Sequence, residues 1–248
     1  MTSEHEPESP SSVHGAQNWK DVWERRSIGR HSLSELSELL RADGFDSPLA
    51  SITPDAWATY VKNLALRLEI NPGSSVLEVG CGAGAFLYVL QQLGCKVGGC
   101  DFSSAQIEIA KQALPNSTFQ VCDATQFEMG KWDYVLANGV FMYFPSLEYA
   151  EKVCKLMVET SKKAVGIFDV PDLRCAKTAL ETRISAAGGE AEYAARYEGL
   201  DHQYYDRNWL VFQLQKHAVN NITFDDQKIE GYGNAAFRFN IWGFCRND

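Results

Sequence analysis

The chain has 248 residues, 45% of them hydrophobic, and a formal net charge of −9 at pH 7. That is enough apolar material for one filled α/β domain and short for two. The acidic balance repels a phosphate backbone, and the densest basic cluster (Arg25, Arg26, Arg30 and His31) is small, so no nucleic-acid partner is expected. No apolar run approaches a membrane span. The seven cysteines form neither a CxxC pair nor a metal-ligand array with histidine, so zinc is not expected and a reducing cytoplasm is.

Residues 1–15, rich in Ser, Pro and Glu, have little to bury and are expected to be a disordered tail. Residues 16–31 read as a helix with Trp19 and Trp23 on one face, and residues 32–41 continue with a Leu33, Leu36, Leu39, Leu40 stripe. Gly44, Pro48 and Pro54 mark a loop. Thr53 caps the next helix with Pro54 at its first position, and Asn71-Pro72-Gly73 ends it. Residues 16–71 are thus a helical segment expected to cover an active site, ahead of a core at 72–248. From Ser74 the pattern alternates. Strands are read at 74–80, 95–101, 117–123, 132–140 and 164–170, with helices at 84–94, 103–114 and 146–161. A helix at 206–217 with Trp209, Leu210, Phe212 and Gln213 toward the sheet precedes two strands, at 221–229 and 235–244. The expectation is an α/β fold, a parallel sheet covered by helices, whose late strands can end it antiparallel.

The strongest chemical signal is VLEVGCGAG, residues 76–84, where a strand ends in an acid and turns through three glycines into a helix. Glycines let backbone approach a ligand, and a helix start offers unpaired N–H groups. Gly80, Gly82 and Ala85 also satisfy the loose dinucleotide pattern. Glu78 favours a ligand bearing a cation or amine over pyrophosphate, which it repels. Asp101 ends the second strand, 23 residues after Glu78, where a carboxylate takes ribose hydroxyls. Asp123 ends the third. In an open parallel sheet all three acids face one crevice.

VLEVGCGAG, GCDFSSAQIEIAK, VCDAT and YVLANGVFMYFP, in that order, resemble the successive motifs of the class I S-adenosylmethionine (SAM)-dependent methyltransferases. More loosely, the flanking segments resemble the small-molecule and sugar-modifying members. The resemblance implies a Rossmann-like seven-stranded sheet with the last strand antiparallel and helices on both faces. It implies SAM as cofactor and S-adenosylhomocysteine (SAH) as product. Gly80, Cys81, Gly82 and Gly84 would then pass the methionine part, with Glu78 ordering that loop or meeting the amine. Asp101 would bind ribose, Phe102 would pack on the adenine, and Asp123 and Ala124 would meet its amino group. Asn138 and Gly139 would lie at the sulfonium end. The chain has Asn138-Gly139-Val140-Phe141 where an Asn-Pro-Pro-Tyr element would stand, so base or glutamine methylation is not expected.

The expected activity is methyl transfer to oxygen or nitrogen of a small metabolite, by a monomer or homodimer. The alternatives are RNA or protein methylation, a non-catalytic SAM-binding subunit, and an NAD-dependent oxidoreductase. His202 is the candidate general base, or else a loop histidine. Asp169 is placed to orient His202, meet a substrate amine or hold its own turn. Trp19, Trp23, Tyr143, Tyr204 and Tyr205 are candidates to line the acceptor pocket, or else packing aromatics. Asp169 and Asp172 lack a convincing third metal ligand.

Overall fold

The computed structural model describes residues 19–25, 35–47 and 49–245. The tail expected at 1–15 lies outside the described residues, as do Arg26, Arg30, His31, Leu33 and Pro48.

Two short helices come first, α1 (Trp19–Glu24) and α2 (Leu36–Ala42). Helix α3 (Pro54–Arg67) starts where the cap residues place it, with the Thr53 side chain accepting from the Ala56 N–H at 3.1 Å. Then come β1 (Ser75–Val79), α4 (Ala85–Gln92), β2 (Lys96–Asp101), α5 (Ser104–Ala113), β3 (Thr118–Val121) and β4 (Trp132–Asn138). Helix α6 (Leu147–Thr160) runs without a linker into β5 (Ser161–Pro171). Helices α7 (Ala176–Ala187), α8 (Glu190–Tyr197) and α9 (Arg207–Lys216) precede β6 (Val219–Asp226) and β7 (Arg238–Cys245).

The seven strands form one sheet in the order β3-β2-β1-β4-β5-β7-β6. Strands β1 to β5 pair parallel, and β7 lies antiparallel between β5 and β6. One face is covered through Leu39, Trp57, Leu64, Leu87, Leu90 and Ile107, from α2 to α5. The other is covered through Val153, Met157, Leu210 and Leu214, from α6 and α9. Strand order reverses at β1, whose neighbours are β2 and β4, so the crevice opens at the carboxyl ends of these strands.

Three expectations need correction. Phe212 is 59% exposed, because the buried stripe of α9 is Leu210, Gln213 and Leu214. Helices α7 and α8 lie in a stretch that periodicity leaves unassigned. Only Ala179 is buried in α7 and no residue is in α8, so neither carries an apolar stripe to read. Strand β5 is longer than the 164–170 read from the sequence and runs from Ser161 to Pro171, across an irregularity in its pairing with β7. Asp169 sits at that irregularity with φ +56°, its N–H donating to Asn240 Oδ1 at 3.0 Å. A β-bulge bends its strand and re-aims a side chain, and here the Asp169 side chain lines a cavity beside the crevice.

Candidate active site

The turn after β1 holds its shape through backbone angles that only glycine adopts freely. Gly80, Gly82 and Gly84 have φ of +72°, +51° and +89°. A Cβ on Gly80 would stand 2.4 Å from Val140, and one on Gly82 would stand 2.3 Å from an Asp43 oxygen. The turn therefore leaves bare backbone facing a cleft of about 550 Å³, which Glu78, Gly80, Cys81, Gly82, Asp101, Phe102, Asn138 and Gly139 all line. Gly84 caps α4 and packs toward Leu114 and Ala110 instead.

Glu78 is 2% exposed and its Oε2 is buried without a hydrogen-bond partner. Burial pushes this carboxyl well above the ordinary range, and the nearby charges of Asp43 and Asp101 add to it. Asp101 accepts from Gly82 N–H at 3.0 Å and from Ser103 N–H at 2.9 Å, tying the glycine turn to β2. Burial nevertheless raises it to about 6, only partly offset by those bonds. Asp43, which the sequence reading left in a loop, accepts from Ala83 N–H at 2.5 Å and Ala85 N–H at 3.0 Å at the start of α4. Negative charge is favoured there by the helix dipole. Phe45, Trp57 and Gln106 complete the cleft and were not foreseen either.

Asp123 and Ala124 line an adjoining recess with Phe102, Val140 and Tyr149. One Asp123 oxygen accepts from Thr125 N–H and the Tyr149 hydroxyl, each at 2.8 Å. Burial would raise the Asp123 carboxyl, but the Thr125 and Tyr149 hydrogen bonds outweigh it and hold the group below its ordinary value.

A larger cavity, about 1130 Å³ including its open mouth, shares Trp23, Asp43, Phe45, Gly139 and Tyr143 with the cleft. Trp19 and Tyr143 pack with ring centroids 4.7 Å apart, Trp19 and His202 at 5.2 Å, and Trp23 and Tyr143 at 5.5 Å. Residues from three segments far apart in sequence are thereby brought to one wall. Trp19 is anchored by its indole N–H donating to the Asp201 carbonyl at 3.2 Å.

Asp169 is 2% exposed. It accepts from the Tyr232 hydroxyl at 2.9 Å and Gln227 Nε2 at 3.3 Å, and its Oδ2 lies 3.7 Å from where a Gly139 Cβ would stand. Gln227 also donates to the Tyr60 hydroxyl at 3.2 Å, and Tyr60 donates to Asn138 Oδ1 at 2.9 Å. This buried network fixes Asn138 and Asp169 together from α3, the segment between β6 and β7, and β7. Asp169 does not orient His202, whose Nδ1 instead meets Arg183. An arginine only donates, so Nδ1 accepts and the neutral ring carries its proton on Nε2. Burial holds His202 well below its ordinary pKa, and the charges of Arg238 and Arg183 push it further down. Tyr204 accepts from Arg183 at 2.7 Å. Tyr205 is a correction: it is fully buried, its hydroxyl donates to the Phe141 carbonyl at 2.8 Å, and its ring packs on Phe141 and Trp209, away from both cavities. Asp172 is engaged by Arg174 and Arg207, and no cluster of metal-ligating side chains occurs among the described residues.

The sheet order and the crevice define the class I methyltransferase fold. Residues 76–163 match the family model described as a methyltransferase domain. A probable (S)-tetrahydroprotoberberine N-methyltransferase of Papaver bracteatum is 36% identical over 104 residues, which is 38% of this chain and 29% of that protein. The chain spans between 4% and 62% of the length of five curated relatives it matches. The magnesium protoporphyrin IX methyltransferase of Synechocystis PCC 6803, crystallised with bound SAM, aligns over 98% of this chain and 100% of that one at 15% identity, with a TM-score of 0.57. N-methyltransferase NodS of Bradyrhizobium japonicum WM9, crystallised with SAH, aligns over 86% and 97% at 16% identity, with a TM-score of 0.58. At these identities the structures share the fold. Among the described residues no helix is long and apolar enough to cross a membrane.

Proposed function

We propose that this protein transfers a methyl group from SAM to an oxygen or nitrogen of a small molecule held in the cavity beside the cleft. The observation that carries the reading is the buried, unpartnered Glu78 oxygen beside a glycine turn that lines the cleft. A ligand ammonium gives that carboxylate the partner it lacks. Bound SAM supplies a sulfonium methyl, open to in-line attack. Asp101 is positioned to accept from ribose hydroxyls, and the oxygen of Asp123 not bonded to Thr125 and Tyr149 is free for an adenine amino group.

Gly139 and Tyr143 line both cleft and cavity, so we place the transfer there. Trp19, Trp23 and Tyr143 exclude water and offer aromatic faces to the acceptor. His202 is held neutral between two guanidinium groups, so its role in this reading is to position the acceptor through Nε2–H rather than take a proton. Asp169, beside Gly139, accepts the acceptor's N–H or O–H and aims its lone pair. The two N-methyltransferases among the similar proteins favour an amine, and the porphyrin O-methyltransferase keeps oxygen open. Seven cysteines, none of them in a disulfide, support action in a reducing cytoplasm.

The test is to incubate the protein with methyl-labelled SAM and a metabolite extract of its source, with Asp101→Ala as control, and fractionate the products. Label in a small-molecule peak is expected. Label in RNA or protein overturns the acceptor class, and failure of SAH to bind in calorimetry overturns the cofactor.

A further inference from the structure

The large cavity holds two arginines, Arg183 and Arg238, that form no direct ion pair among the described residues. Arg238 opens β7, is 6% exposed and lines the cavity. Its guanidinium reaches only Met142 Sδ at 3.1 Å and the Asp169 backbone carbonyl at 3.3 Å. The Asp169 carboxylate turns to Tyr232 and Gln227 instead. Arg183, projected from α7, donates to His202 Nδ1 and the Tyr204 hydroxyl, while its Nε is buried without a partner. Neither arginine forms a salt bridge among the described residues, in contrast to Arg207, which binds Asp172 at 2.8 Å.

The Asp169 charge favours the charged form of Arg238 from nearby but makes no side-chain contact with it, and a buried guanidinium with no directly bonded counter-charge is tolerated where a ligand supplies one. We propose that this cavity binds its acceptor through a carboxylate on a planar small molecule, gripped by Arg238 and Arg183. The inference rests on the methyltransferase reading only for calling that molecule the acceptor. The planar guanidinium fork matches a carboxylate in a bidentate pair. Arg183 also lies 5.9 Å from the Tyr193 ring centre, so the grip is bordered by aromatic surface continuous with Trp19 and Tyr143. Asp43 and Asp169 line the same cavity and disfavour a second negative charge, which selects a carboxylate over a phosphate dianion. Burial and the same two arginines keep His202 uncharged, so it offers the anion a neutral N–H.

The experiment is isothermal titration of the full chain, saturated with SAH, with anthranilate, 4-hydroxybenzoate and indole-3-acetate, each paired with its carboxamide. At least one carboxylate should bind about ten-fold or more tighter than its carboxamide, the effect of one charge-assisted hydrogen bond pair. Arg183→Gln and Arg238→Gln should each remove that preference while SAH affinity stays within about two-fold. Should Arg238→Gln fail to fold, Arg183→Gln, at a half-buried position, decides. The absence of a preference in every pair, or a preference surviving the substitutions, overturns the proposal. If SAH itself does not bind, the methyltransferase reading falls, and the same titrations without SAH still decide the carboxylate site.

Discussion

Glu78→Gln separates the cost of the empty cleft from its use. Glu78 is held at 2% exposure with Oε2 unpartnered, and its pKa is raised by burial first and by Asp43 and Asp101 second. A raised carboxyl contributes stability that is present below its ordinary pKa and lost as pH rises through the folded value. Above its ordinary pKa the ligand-free protein therefore bears the cost of this buried carboxyl. Replacing it with an isosteric amide should stabilise that state by about 1–2 kcal/mol, the scale of one buried unsatisfied group. For a chain of this size that is roughly 2–8 °C in Tm. The gain should shrink as pH falls toward the ordinary carboxylate range, because the unfolded chain then also takes up the proton. SAH affinity should move the other way, weakening about 10-fold to 100-fold through loss of a charge-assisted pair with the ligand ammonium. The assays are scanning calorimetry across the pH series and isothermal titration with SAH at pH 8. A variant less stable than wild type that binds SAH with unchanged affinity would refute the reasoning, because Glu78 would then be a structural group with no ligand-facing role.

Three further outcomes are expected. SAH affinity should weaken as pH falls through about 6, where Asp101 protonates and loses acceptor capacity, and Asp101→Asn should abolish that inflection in a calorimetric pH series. Gly80→Ala places a Cβ 2.4 Å from Val140 at φ +72°, so it should cost about 1–3 kcal/mol in denaturant unfolding and lower SAH affinity together. Tyr205→Phe removes a buried hydrogen bond to the Phe141 carbonyl and should cost about 1 kcal/mol of stability with SAH affinity unchanged. A changed affinity with stability intact would return Tyr205 to the site.

Local chemistry made much of this protein legible in one dimension. The Thr53-Pro54 cap, the strand-turn-helix at residues 76–84 and the acids at the ends of three strands are short-range signals, because caps, glycine turns and strand ends depend on a few adjacent residues. The order of those acids was enough to place all three at one end of the sheet, since a parallel sheet points its carboxyl ends one way, while the structure sets Glu78 and Asp101 on the cleft and Asp123 in the adjoining recess. Asp43, Arg183, Tyr232 and Arg238 were beyond that reach. Each stands in a stretch whose local pattern is ordinary, and each acquires meaning only where distant segments meet: Asp43 on the start of α4, Tyr232 on Asp169, Arg183 and Arg238 around His202. Tyr204 and Tyr205 show the same division most sharply. They are adjacent and alike in sequence, yet one hydroxyl meets Arg183 and the other is sealed against Phe141. Which side of a packed loop a residue faces is set by packing with distant neighbours, and only the tertiary structure decides it.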